Sequence, residues 1–282
     1  MGAEPPAGEL PPQPEQRRSP AQAVADIRIR APTRGNRRLD RLLEAVNGDA
    51  QVKAWWHMAG LNAQRLEMSD HSWVHIQIVT NIALRLARLL FRAGIVPSMV
   101  TDHGMGERDA EVVIAAGSLF HCVGMSIHRT DHEAYSLFLT ADKLGSLLEG
   151  VYEEPERSVI VSEAMHAVIS HRSRGNPITV EGAIVRVADA LDMAKGRSRV
   201  GFEAGDIGIH SLSAYAIDEV RILPGEAKAV RIEIEMSNSA GIFQVDEGLG
   251  TKLRGTLLEE HIEVVASIEG EYEKRLVPVF RL

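Results

Sequence analysis

The sequence predicts a mainly helical protein with a small α+β unit at its C-terminus. Apolar residues recur at three- and four-residue steps from Asn36 to about Arg199. Strict alternation of apolar and polar residues replaces that period after Gly201. A chain of 282 residues, 45% of them hydrophobic, has room for a medium domain and a small one. We therefore expect three parts: a tail over residues 1–35, a helical domain over 36–200 and an α+β domain over 201–282.

The tail is predicted from composition. The first twenty residues, MGAEPPAGELPPQPEQRRSP, contain six of the chain's 12 prolines and almost no large apolar side chains. Such a segment cannot bury enough apolar surface to offset the entropy lost on ordering. We expect the chain to be disordered from Met1 to about Arg34.

The helical part is predicted as a series of helices separated by polar turns. The segment from Asp109 to Cys122 is apolar nearly all round, which is typical of a central, buried helix. Thr130 and Glu133 form a capping-box pattern for the next helix, and Thr179 can cap the last one. On an earlier helix one face is shared by His75, Val79, Ile82, Leu86 and Leu90.

The C-terminal part is predicted to combine strands with one helix. In AVRIEIEMS, apolar residues from Val230 to Met236 alternate with charged ones, which indicates a half-buried strand. SLSAYAIDEVRIL and HIEVVASI also resemble strands, and FQVDEGLGTKLRGTLLEE between them resembles a helix. An alternating strand of this kind can pair with another chain at a sheet edge, so the sequence leaves open whether the protein forms a homo-oligomer.

Charge and cysteine usage exclude several classes of function. The net charge of −8 argues against general nucleic-acid binding, which needs a basic surface. A single cysteine excludes an internal disulfide, and the start lacks a secretory pattern, so we expect a cytoplasmic protein. The longest apolar run, Val112–Met125, is shorter than the roughly 20 residues of a membrane span, so no membrane partner is expected.

The histidines are the first sign of a functional site. Eight of the chain's 11 histidines lie between His71 and His171, and imidazole is the commonest protein ligand for metals. For His75, on an apolar helix face, the sequence alone favours a hydrogen-bonded core histidine over a ligand. For His121, at the end of the central helix, the two interpretations are balanced. His71 is expected at the surface.

Asp189 has two interpretations as well. It lies among apolar residues, as a buried carboxylate ligand does. However, Arg186, Asp189 and Asp192 recur at three-residue steps, as on a solvated helix face. Periodicity alone favours the solvated face.

Three segments in one order resemble the HD superfamily of metal-dependent phosphohydrolases. HSWVHIQIVTNIALRLARLL, AEVVIAAGSLFHCVGMSIHR and AIVRVADALDMAKGR resemble its metal-binding helices, and the match spans roughly Asp70 to Arg199. The match also closely resembles a prokaryotic subgroup of this family that carries a C-terminal α+β unit. In this family one His, a His-Asp pair and a distant Asp bind a divalent metal. The resemblance implies three ligands, His75, His121 and Asp189, and His166 and His171 are similar in placement to histidines that hold a second metal.

Cys122 departs from this pattern, because the family has aspartate there. A thiolate cannot bridge two metals as a carboxylate does, and it suits Zn²⁺ or Fe more than Mg²⁺ or Mn²⁺. A neutral thiol is only a small apolar filler. The site has therefore changed metals with Cys122 as a ligand, binds one metal weakly, or is inactive.

The resemblance implies a phosphohydrolase that acts on a nucleotide or other small phosphate ester with one or two divalent ions (Mn, Zn, Fe or Mg). An alternative is a binding or regulatory module on the same fold, and a third is a di-iron oxygenase. We expect His128 and His132 to be candidate catalytic residues, although the predicted cap at Thr130 separates them. Basic residues that could bind the substrate phosphate are Arg129, Arg172, Lys195 and Arg197.

Overall fold

The computed structural model describes residues 18–172, 175–194, 213, 215–268 and 279–281. Most of the described chain is helical, and strands occur only near its C-terminal end, as the sequence predicts. The helices before the strands are α1 (Pro20–Ala25), α2 (Arg37–Gly48), α3 (Ala50–Arg65), α4 (Trp73–Arg92), α5 (Ser98–Thr101), α6 (Glu107–Phe120), α7 (His132–Leu147), α8 (Glu156–Ser170) and α9 (Val180–Leu191).

Part of the segment that composition assigns to a disordered tail is folded. Residues from Pro20 onward form α1 and then an extended segment in which Ile27 and Ile29 are buried. Asn47 holds this segment: its side chain accepts a hydrogen bond from the Ile29 N–H (2.8 Å) and donates one to the Ile29 carbonyl (2.9 Å). The prediction of a disordered tail is therefore wrong for residues 20–34, where two isoleucines reach the core. Its remainder, residues 1–17, lies outside the described residues.

Helix α6 is the central helix. Its residues from Val112 to Phe120 are all buried, as their apolar character predicts. Gly117 lets α6 approach its neighbours closely, because a Cβ atom there would lie 2.9 Å from the Ala167 Cβ and 3.2 Å from the Val185 Cγ2. Helices α4, α8 and α9 surround α6. His121 therefore follows the end of a helix enclosed by the other helices.

The start of α7 differs from the prediction. Asp131, with a φ of 57°, precedes the helix, and no side chain caps it there, so the capping box of Thr130 and Glu133 is not formed. Instead, α7 is positioned by backbone contact at Gly124, where a Cβ would lie only 2.0 Å from the His132 carbonyl oxygen. This approach brings His132 towards His121. The predicted cap of α9 is confirmed: the Thr179 hydroxyl accepts the Gly182 N–H (3.1 Å).

The C-terminal unit is a four-stranded sheet with one helical crossover. Strands β1 (Ile217–Pro224) and β2 (Val230–Met236) are antiparallel, β2 and β3 (Ile262–Ile268) are parallel, and β3 and β4 (Val279–Arg281) are antiparallel. A parallel pair needs a crossover. Here it is the helical stretch 241–253, made of Gly241–Phe243, a π-helical part (Gln244–Gly250) and Thr251–Leu253.

One hydrophobic cluster joins the sheet to part of the helical domain, and a second cluster lies within the helical domain. The alternation predicted for β2 is confirmed, because Val230, Ile232, Ile234 and Met236 are all buried. These side chains pack with apolar residues of α4, α9 and the helical stretch 241–253. Helix α9 consequently lies between helices on one side and the C-terminal unit on the other, and all of its residues are buried.

Helix α4 is long and apolar enough to cross a bilayer by length and composition alone. However, 61% of its most apolar window is buried inside the protein, as in the core helix of a folded domain.

Candidate metal centre

Three buried histidines hold their Nδ1 atoms against oxygen acceptors. Because a carboxylate or carbonyl oxygen can only accept, each Nδ1 carries a hydrogen and each Nε2 is left as the ligand atom. Histidines that bind metals are usually oriented in this way. The contacts are His75 to Asp192 Oδ2 (2.6 Å), His121 to the Ser118 carbonyl (2.7 Å) and His171 to the Val168 carbonyl (2.5 Å).

The Nε2 atoms of His75 and His121 face each other, 3.1 Å apart. Asp189 Oδ1 lies 3.4 Å from the first and 3.6 Å from the second. Cys122 Sγ forms one group with these two histidines, and His171 forms another with His121 and Asp189; in each group the ligand atoms lie within 4.8 Å of one another. Two imidazole lone pairs at this distance repel each other unless a cation or a proton lies between them.

The donor set fits a divalent metal ion. Imidazole nitrogens, one thiolate and one carboxylate are the ligands that Zn²⁺ and Fe accept most readily. The residues are almost fully buried, with His75 1%, Cys122 1% and Asp189 7% exposed. Buried charged and polar groups of this kind are costly unless they are paired or coordinate a metal. These residues could therefore hold a metal ion.

The neighbouring His121 and Cys122 perturb each other's ionisation. Burial alone lowers the pKa of His121, but the negative charges of Cys122 and Asp189 outweigh it and raise the pKa to about 9. Burial alone raises the pKa of Cys122, but His121 and then His75 outweigh it and lower the pKa to about 6. Without a metal, each group therefore favours the charged form of the other, the imidazolium of His121 and the thiolate of Cys122.

A third group of ligand atoms, those of His132, Glu133 and His171, also lies within 4.8 Å. Burial lowers the pKa of His132, and Arg129 lowers it against the opposing effect of Glu133. Burial, with the positive charge of His121, holds the pKa of His171 well below its usual range. Both imidazoles are therefore neutral at neutral pH, as metal binding or proton transfer requires.

A cavity of about 180 Å³ opens onto this centre. A cavity of this size has room for several water molecules or for a phosphate group. The side chains of Arg129, Arg172 and Lys252 contribute positive charge to its wall. The cavity therefore joins a candidate metal site to cationic groups that suit an anionic ligand.

The structure brings together most of the predicted site residues. His75, His121, Cys122, His171 and Asp189 form the buried groups, His132 joins the third group, and Arg129 and Arg172 line the cavity.

Among the predicted residues that the structure describes, His128 and His166 lie away from this centre. His128 is exposed, and its Nδ1 accepts the Thr130 N–H (3.0 Å). His166 is half-buried, and its Nε2 accepts the Ile178 N–H (3.1 Å), so that nitrogen is taken by the loop before α9. Lys195 and Arg197 lie outside the described residues.

Several site residues were not predicted. His71, expected at the surface, is buried, lines the cavity, and has its Nδ1 2.7 Å from the Ser69 carbonyl. Glu133 was considered only as a cap. Asp192, which orients His75, shared the three-residue step with Asp189 that could have revealed it. Lys252 gave no signal in the sequence.

The solvated-face interpretation of α9 is wrong. Arg186, Asp189 and Asp192 are 3%, 7% and 6% exposed. Their polar face is covered by the candidate metal centre and the C-terminal unit.

The fold and the site define a mostly helical protein with a buried histidine, cysteine and carboxylate centre. The chain is 36% identical over 207 residues to MJ1020, an uncharacterized protein of Methanocaldococcus jannaschii; the alignment covers 73% of this chain and 80% of the archaeal protein. The chain belongs to the same family as that archaeal protein. No family model matches the chain. No solved structure matches it either.

Proposed function

We propose that this protein is a metal-dependent phosphohydrolase of the HD type that acts on a nucleotide or other small phosphate ester. The observation that carries the proposal is the convergence of His75 Nε2, His121 Nε2 and Asp189 Oδ1 beside a cationic cavity. The order of these residues along the chain is also the order of ligands in the HD superfamily, which the sequence resembles.

The residues around the site have distinct roles in this proposal. His75, His121 and Asp189 would hold a divalent ion, which would supply Lewis acidity and activate water for attack. Asp192 holds His75 in the tautomer and orientation that a ligand needs. Arg129 and Arg172 bind the phosphate oxygens from the cavity wall. His132, neutral and also on the wall, accepts or donates the proton at the ester.

Cys122 restricts the kind of metal. A buried thiol with a pKa of about 6 is a thiolate at neutral pH, and thiolates favour Zn²⁺ or Fe over Mg²⁺. The second candidate function, a non-catalytic regulatory protein, is favoured by the same residue, because the carboxylate that could bridge two metals is absent.

The first experiment is elemental analysis of the protein purified without added metal or chelator. We expect about one or two equivalents of Zn, Fe or Mn, retained in His128→Ala and lost in His121→Ala. His128→Ala is a matched control because it removes an exposed histidine seven residues along the chain. Absence of stoichiometric metal in the wild type, even after incubation with Mn²⁺ or Zn²⁺, contradicts the proposal.

Cys122→Asp separates the two candidate functions. If the wild type is a Zn- or Fe-dependent enzyme, this variant should lose activity towards small phosphate esters or shift its preference to Mn²⁺. If the cysteine alone inactivated the site, the variant should gain activity over an inactive wild type, which supports the regulatory alternative.

A further inference from the structure

The two carboxylate oxygens of Asp189 contact different groups. Oδ1 faces the Nε2 atoms of His75 and His121, whereas Oδ2 forms an ion pair with the Lys252 ammonium. The side chains of Lys252 and Asp189 are only 17% and 10% exposed. One carboxylate thus connects the candidate metal position with a fixed positive charge.

Lys252 comes from the C-terminal unit and is held there by its backbone. The guanidinium of Arg186 donates from Nε to the Lys252 carbonyl (2.9 Å) and from Nη2 to the Thr251 carbonyl (3.2 Å). Its Nη1 donates to the carbonyls of Ser170 (3.2 Å) and Arg172. A single buried side chain therefore fastens both the end of α8 and the helical stretch 241–253 to α9.

Packing fixes the same stretch independently of the ion pair. Val245, Leu249 and Leu253, at four-residue steps, are buried in the core shared with α9. Lys252 lies next to the last of these, so its side chain leaves the core towards the cavity, whose wall it joins. The position of the ammonium is therefore set by the fold of the C-terminal unit.

A phosphohydrolase with two metal ions uses two cations to stabilise the oxygens of the transferred group. Here Cys122 cannot bridge two ions through a second oxygen, and Asp189 gives its second oxygen to an ammonium. We propose that Lys252 is the second cation of this site: it occupies Asp189 Oδ2, binds a phosphate oxygen of the substrate, and lets one metal ion suffice. This inference rests on the proposed function and deepens it.

The test uses the full-length, metal-loaded protein and inorganic phosphate as the probe. Metal equivalents are counted by elemental analysis, and the phosphate dissociation constant is measured by titration calorimetry. We expect one metal ion in the wild type. Lys252→Met should keep that ion but bind phosphate roughly tenfold or more weakly, because a charged hydrogen bond is lost. Lys252→Arg should retain most of the affinity.

Arg254→Met is the matched control, since it removes an exposed cation from the same segment, paired with Asp246 away from the cavity. It should bind metal and phosphate as the wild type does. If Lys252→Met does not fold with one metal equivalent, Lys252→Gln replaces it under the same criteria.

The outcomes distinguish this inference from the proposed function. Two metal ions in the wild type, or unchanged phosphate affinity in a Lys252→Met protein that holds its metal, overturns the role of Lys252 alone. Tighter metal binding in Lys252→Met with unchanged phosphate affinity also overturns it, because the lysine is then a competitor of the metal. A wild type that binds no metal overturns both proposals.

Discussion

Removing His121 should change the ionisation of Cys122 in the metal-free protein. His121 is the main group that lowers the pKa of this buried thiol from 9.0 to about 6, against the opposing effect of burial. At pH 7 a thiol with a pKa of about 6 is about nine-tenths thiolate, compared with about one part in a hundred at a pKa of 9. In His121→Asn, we expect the pKa to return towards or above 9.0, since burial then meets less opposition.

The assay is a pH titration of the ultraviolet absorbance of the thiolate after treatment with a chelator. The chain has one cysteine, so the signal comes from a single group, and Cys122→Ser supplies the blank. His128→Asn, which changes an exposed histidine, should titrate as the wild type does. A wild-type midpoint at or above about pH 8, or a midpoint unchanged by His121→Asn, would refute this reasoning.

Thermal melting is a poor substitute for this titration, because the two shifts oppose each other. The raised pKa of His121 gives stability that is complete below its ordinary value of 6.5 and lost as pH rises through about 9. The lowered pKa of Cys122 gives stability that is complete above 9.0 and lost as pH falls through about 6. Between about pH 6.5 and 9, the stability lost at His121 and the stability gained at Cys122 nearly cancel. The reason is that folding only moves a proton from the sulfur to the nitrogen, so the number of bound protons does not change.

Two further variants test the support of the site. Asp192→Asn should weaken metal binding roughly tenfold, because it removes the negative charge behind His75; calorimetric titration with Zn²⁺ checks this, and the exposed Asp142→Asn should leave affinity unchanged. Gly124→Ala should destabilise the fold by about 3 kcal/mol, because its Cβ would meet the backbone of α7 at 2.0 Å. Gly145 lies within α7 itself, and a Cβ there would have nothing within 4 Å. Gly145→Ala should therefore stabilise the fold by about 0.5–1 kcal/mol. Urea unfolding measures both, and equal effects would contradict the argument from close packing.

Hydrophobic periodicity predicted correctly those elements in which the apolar residues are the buried ones. Helix α6 is apolar nearly all round and is enclosed by other helices, and β2 buries alternate residues. In both cases the pattern of side chains and the pattern of burial are the same. The same argument failed on α9, where Arg186 and Asp189 looked like a solvated face. A polar helix face is exposed to solvent only when no other part of the protein covers it. Here the candidate site and the C-terminal unit cover it.

Lys252 and His71 show a second limit of sequence reasoning. Neither has a local pattern that marks it, because each is placed at the cavity by contacts made elsewhere. Lys252 reaches Asp189 across 63 residues of chain, guided by the Arg186 clamp and by buried neighbours. His71 precedes α4 and is turned inward by its contact with the Ser69 carbonyl. Only the assembled fold brings such residues to the site.

Cys122 is compatible with a centre that holds a metal ion. A protein that had lost metal binding would have no physical reason to keep the Nε2 atoms of His75 and His121 3.1 Å apart, each with its Nδ1 held by an oxygen. That arrangement is costly without a cation or a proton between the two nitrogens. Although burial lowers the pKa of His121, Cys122 and Asp189 raise it to about 9, which favours a proton there when no metal is bound. A divalent ion would displace that proton, so metal binding should release it. Under the proposed function, the thiolate would therefore favour a positive charge at this position in either state, as the aspartate of the HD superfamily does.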